Sequence, residues 1–226
     1  MTQEFYDRAN SDSNFVSFDL CSHKVGSTDL STSSDVRCRY FLSNARKWWK
    51  NEILLQALSA LNSPVTVECV SRTSSTLSPV VYIADENKIQ ISASSFWTPF
   101  TYRRALARGL VYAFDKARAE VDYNNIDHVA CTSIRGMNIS GECDLWTKWT
   151  DYIVDDPLGM DMYSMKQRCI RRKVEEMISQ ESRKSSAEIR EGIERVFDRC
   201  FRDHWPFTAE PHMDTRFRDS PFVQPQ

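Results

Sequence analysis

Arg108-Gly109-Leu110-Val111-Tyr112-Ala113-Phe114-Asp115 is the stretch on which the reading of this 226-residue chain turns. Leu106, Leu110, Phe114, Ala117 and Val121 recur around it at helical spacing, so it belongs to an amphipathic core helix, expected over Thr101 to Val121. Arg108 and Tyr112 stand at i and i+4, neighbours on one helix face. The same spacing lets a His-Glu-x-x-His helix converge two imidazoles on one zinc ion, while the Glu takes a proton from the zinc-bound water. Here a permanent cation and a phenol stand at the two ligand positions, and Gly109 stands where the base would be. A guanidinium does not ligate zinc. A phenol with a pKa of about 10 binds metal poorly unless a zinc site already exists. Gly109 offers no side chain and costs roughly 1 kcal/mol in a helix interior relative to Ala.

The flanks extend the pattern. Asp115-Lys116-Ala117-Arg118-Ala119-Glu120-Val121-Asp122-Tyr123 follows directly. Then come Asn125-Ile126-Asp127-His128-Val129-Ala130-Cys131, Ile134-Arg135, Asn138-Ile139-Ser140-Gly141-Glu142-Cys143 and, near the end, Val196-Phe197-Asp198-Arg199-Cys200-Phe201. In order and interval these runs resemble the mitochondrial inner-membrane peptidase family that processes ATP synthase subunit a, the ATP-twenty-three family. The resemblance covers about residues 37 to 207. It implies an α+β, zincin-like domain with a long N-terminal helix, a small three-stranded sheet, the degenerate site helix and a C-terminal helical hairpin.

The departures matter as much. The degenerate site comprises Arg108, Gly109 and Tyr112, with Asp115 and Asp122 as the family's remaining acidic residues. Arg108 is expected to fill the vacated cation site by pairing with Asp115 or Asp122 through a bidentate contact. On this reading the chain is a pseudo-metalloprotease: no catalytic residue, no metal, no cofactor, and not an enzyme. The resemblance also implies folding in the oxidising intermembrane space. Five of the seven cysteines, Cys38, Cys131, Cys143, Cys169 and Cys200, fall at family-like positions, and Ala117 marks a lost partner. Cys169 with Cys200 is the expected pair, because a helical hairpin would bring them together. The family's cysteine-rich hairpin is reduced to Cys69 and the Ser/Thr stretch after it.

Composition narrows the classes. A 41% hydrophobic chain of this length builds one sizeable core. A net charge of −2 gives no global nucleic-acid signature. No apolar run reaches the roughly 18 residues of a membrane span. Met1 to Arg8 lacks the Arg-rich pattern of a presequence. Asn138-Ile139-Ser140 is read as a chance sequon match, and His23, His128, His204 and His212 show no metal-ligand spacing.

Along the chain, residues 1–35 read as an extended polar arm, 36–207 as the metalloprotease-like domain and 208–226 as an extended Pro-containing tail. Val36 to Leu61 reads as one long helix. The strand candidates are Val65 to Val70, Val80 to Ile83 and Lys88 to Ser92, with Asp85-Glu86-Asn87 as a tight turn. Asp122 to Asp151 reads as mixed turn and short helix. Met160 to Ser179 and Ser186 to Phe201 form the hairpin, with Ser185 and Glu188 as a capping box. Trp146 and Trp149 are placed over Cys143.

Trp48 and Trp49 are core packing or a partner surface. Arg103 with Arg104, and Arg168, Arg171 and Arg172, are solvated faces or contacts to phosphate of lipid headgroups or RNA. The resulting expectation is an assembly factor or structural subunit of a mitochondrial multiprotein complex, with ATP synthase or the respiratory chain first. It would lie on the intermembrane-space side of the inner membrane and take no small-molecule substrate. The alternatives are a component or assembly factor of the mitochondrial ribosome in the matrix, and an active metalloprotease with unconventional ligands.

Overall fold

In a computed structural model, residues 33–70, 80–92, 98–144, 162–182 and 184–211 are described. The expected single helix over Val36 to Leu61 is two: α1 (Ser33–Arg46) and α2 (Trp49–Ala60). Trp48, at φ −74° and ψ 128°, is extended backbone between them. The Asn51 amide donates back to the Ala45 carbonyl at 2.8 Å, satisfying one of the acceptors left at the end of α1. The break lets the helices bury different faces, Cys38, Leu42 and Ala45 from α1 and Ile53, Leu54, Ala57 and Leu58 from α2.

Strands β1 (Thr66–Val70), β2 (Val80–Ile83) and β3 (Lys88–Ser92) make a sheet of order β1-β3-β2. β3 is central, parallel to β1 and antiparallel to β2. Its alternation is as expected: Ile89 and Ile91 are fully buried while Lys88, Gln90 and Ser92 are half-buried. Asn87 closes the β2–β3 turn at φ 46°, a conformation Asn tolerates, and its side chain donates to the Pro64 carbonyl at 2.9 Å.

Helix α3 (Pro99–Arg118) crosses the sheet. The Thr98 hydroxyl caps it, accepting from Thr101 N at 3.3 Å, and Pro99 sits in the first turn, where its missing amide costs nothing. The segment after it holds a full helix, α4 (Ile126–Ser140), where mixed turn and short helix were expected. Asn125 caps its start, and Gly141, at φ 73°, ends it in the left-handed conformation that Gly adopts freely. Helices α5 (Met162–Glu181) and α6 (Ser186–Arg202) form the C-terminal hairpin. Ser185 and Glu188 make the expected reciprocal capping box.

The whole is mixed α+β and mostly helical. One core lies among α1, α2, the sheet and α3; a second lies among α4, α5 and α6. The α3–α4 contact joins them. Gly136 of α4 allows it: a Cβ there would sit 2.9 Å from Tyr112 Cε1 and 3.1 Å from Arg108 Cγ.

Three disulfides lock this arrangement: Cys38–Cys69, Cys131–Cys200 and Cys143–Cys169. All five candidate cysteines are used, and Cys69 is the sixth. The expected Cys169–Cys200 pair is not formed. Cys200 faces α4, which packs along α6, and Cys169 of α5 reaches the loop beyond α4. Most of the arm (residues 1–32), the tail from residue 212, Trp146 and Trp149 lie outside the described residues.

Candidate functional site

Arg108, Gly109 and Tyr112 occupy the middle of α3, between the sheet and α4. Helical side chains lean toward the helix N-terminus, so Arg108 leans away from Asp115, which lies two turns further on. Its guanidinium instead meets Glu142 just beyond α4, with Nη1 3.0 Å from the carboxylate oxygens. Arg108 itself is 5% exposed. Lys173 of α5 approaches the same carboxylate at 3.5 Å. The expected pairing of Arg108 with Asp115 or Asp122 is therefore corrected to Glu142.

Asp115 serves a different network. It accepts from Arg118 Nε at 3.0 Å and from Arg135 Nε at 3.0 Å. Arg135, 1% exposed, also pairs with Asp203 and donates to the Trp205 carbonyl at 2.6 Å. Arg118 reaches Asp203 at 2.6 Å. Two carboxylates and two guanidiniums thus tie α3, α4 and the end of α6 together. Burial pushes the Asp203 carboxyl up, but Arg135 and then Arg118 outweigh it and hold the pKa below the ordinary carboxylate value. Asp122 lies outside this network. Its side chain accepts from Asn124 N at 2.9 Å, and its own amide donates to His128 Nδ1 at 3.1 Å.

Gly109 faces the sheet. A Cβ there would meet Ile89 at 3.0 Å and Val80 at 3.2 Å, so the space beside Gly109 is filled by β-strand side chains. Tyr112 lies over Gly136, and its hydroxyl donates to Met177 Sδ at 3.7 Å. The zinc ion implied by the resemblance does not fit these residues. Arg108 presents only donors, already turned to Glu142; Gly109 presents packed methyl groups; the Tyr112 hydroxyl points to a thioether. Among the described residues no group of three His, Cys, Asp or Glu is placed to hold a metal ion.

A second charged cluster was not legible as a site. Lys50 of α2 is fully buried, its Nζ 2.9 Å from the Ile139 carbonyl at the end of α4 and over the rings of Trp48 and Trp49. Burial pushes its amine down to about 8, against the pull of Asp144. Lys166 of α5 bridges Asp144 at 3.1 Å and Glu210 at 2.6 Å. Trp49 also meets Phe207 edge-on at 5.8 Å, and both tryptophans are half-buried.

Of the basic candidates, Arg104 is buried over Phe100 at 4.2 Å. Arg171 stacks on Phe197 and pairs with Glu194 at 2.9 Å. Arg168 and Arg172 stand on the exposed face of α5, and Arg103 is half-buried. The sequon Asn138 is 1% exposed and donates to the Phe201 carbonyl at 2.8 Å.

The sequence profile of the peptidase M76 family matches residues 37–208. The mitochondrial inner membrane protease ATP23 homolog of Danio rerio is 33% identical over 122 residues, 53% of this chain and 46% of that protein. The homolog of Homo sapiens is 30% identical over 136 residues, 60% of this chain and 53% of its own length. The mitochondrial inner membrane protease atp23 of Schizosaccharomyces pombe is 31% identical over 120 residues, 53% of this chain and 62% of its own. The chain spans about half the length of the curated relatives it matches. No solved structure matches it. The expectation that the chain is not an enzyme is corrected by these findings: the profile is that of a peptidase family, and the relatives are named as proteases. With the profile spanning most of the sequence, the chain belongs to the peptidase M76 family.

Proposed function

We propose that this chain acts as an assembly factor or structural subunit of a multiprotein complex at the mitochondrial inner membrane, the ATP synthase first and the respiratory chain second. The reading rests on the family and on the mitochondrial inner membrane named for its relatives. One observation of the chain itself carries it: Arg108, at the first ligand position, is buried against Glu142 and helps join α3 to α4 and α5. The central helix therefore serves to hold the scaffold in one shape, which is what a surface for other proteins requires. Three disulfides favour the oxidising intermembrane-space side.

Affinity capture of the tagged chain from mitochondria in mild detergent tests the proposal. Stoichiometric recovery of ATP synthase or respiratory-chain subunits is expected. Recovery with ribosomal particles, released by salt, would overturn it.

A further inference from the structure

Positive charge is unevenly spread. Residues 36–65 and 98–114 together carry eight Lys or Arg and one acidic residue, Glu52, in a chain whose totals are 29 basic and 31 acidic. Lys50, Arg104 and Arg108 of the eight are buried. The other five, Arg37, Arg39, Arg46, Lys47 and Arg103, form no ion pair among the described residues.

Four of these five lie on or just past α1. With Cys38, Leu42 and Ala45 turned into the core, the opposite face of α1 presents Val36, 58% exposed, and Tyr40, 64% exposed, one turn apart. Exposed Arg37 and Arg39 flank them, and exposed Lys47 follows the helix. Asn51 Nδ2 lies 2.8 Å from the Ala45 carbonyl and 3.1 Å from that of Arg103, which brings the backbone next to Arg46 and that of Arg103 together at the end of α1. The Nε of each is buried without an acceptor among the described residues. Three of the four large apolar side chains most exposed among the described residues, Val36, Tyr40 and Phe100, fall in these same two segments.

We infer that the outer face of α1, with Arg103 at its end, docks on an anionic phospholipid surface. Unpaired guanidinium and ammonium groups meet the headgroup phosphates, and Val36 and Tyr40 enter the boundary below them. Such a face combines cations with apolar side chains, where a purely phosphate-tracking surface needs only the cations. No helix of the described residues is long and apolar enough to cross a membrane. The inference rests on the inner-membrane reading, and its test is separate from capture of a complex.

The test is flotation of the full chain with vesicles of phosphatidylcholine, with and without an anionic phospholipid. Binding is expected only with the anionic lipid and is weakened by salt. Each cation removed should weaken it about fivefold, so Arg37→Gln, Arg39→Gln and Lys47→Gln together should weaken it on the order of a hundredfold. Tyr40→Ser should remove the binding that persists in salt. Lys47→Glu, beyond the last residue of α1, gives the same sign without touching the helix. Arg190→Gln on α6 should bind as the parent does. Equal binding to phosphatidylcholine alone would overturn the inference. So would unchanged binding by the triple variant and by Lys47→Glu, an equal loss in Arg190→Gln, or a triple variant that keeps vesicle binding and loses an RNA or protein partner. Vesicle binding without capture of a complex leaves the lipid face standing alone; capture without vesicle binding removes only this inference.

Discussion

Lys50 is a fully buried ammonium whose pKa has fallen from 10.5 to about 8, chiefly through burial. Between those values the unfolded chain binds the proton that the folded chain has released, so stability rises with pH across that window. The full shift is worth about 3 kcal/mol. Half-buried Tyr82, pushed up to about 12, acts in the opposite sense only above about pH 10. Denaturant unfolding at pH 8 and pH 10 should therefore show a gain in the parent chain and little gain in Lys50→Met; equal gains would show that another group titrates. Gly109 offers a second residue-scale check. Gly109→Glu sets a carboxylate between Ile89 and Val80, where van der Waals space is already closed, and should cost about 2–4 kcal/mol in the same assay. That Arg108, Gly109 and Tyr112 share one helix was plain in the sequence, but the partner of Arg108 was not. A helix face tells which residues are neighbours one turn apart. It does not tell that Glu142, 34 residues away, is folded back onto that face. Lys50 could have been flagged, since it lies on the stripe of Leu54 and Leu58.

At the scale of elements, the strands, the site helix and the capped hairpin were legible because their periodicity and caps agree. Helix α4 was not. Thr132, Ser133, Gly136, Asn138 and Ser140 are weak helix formers, yet all five are buried. They are small, and α4 needs small residues because it lies between α3 and α6. Missing α4 also led to the wrong cysteine pair, since its Cys131 is the partner of Cys200. The break between α1 and α2 carries no Gly or Pro signal and comes from packing and the Asn51 cap. Gly136→Ala should cost about 1–3 kcal/mol by forcing the Tyr112 ring off α4, and markedly less in a Tyr112→Ala background. Additive costs in that double-mutant cycle would show that the two residues do not set the spacing.

On the scale of the molecule, Cys131–Cys200 closes the longest loop, with a separation of 69 against 31 and 26 for the other two bonds. Replacing both of its cysteines with Ser should lower stability by about 2–5 kcal/mol, and by about 1 kcal/mol more than losing Cys143–Cys169. Thermal unfolding of the two paired variants checks the order. Bonds of this kind persist in an oxidising compartment, in keeping with the proposed site of action. That proposal is tested most directly by native electrophoresis of detergent-solubilised mitochondria, with the untagged chain followed by mass spectrometry across the gel. The 26.2 kDa chain is expected to migrate with ATP synthase, with a respiratory complex, or with their assembly intermediates. Migration solely at its own mass, or with ribosomal particles, would contradict it.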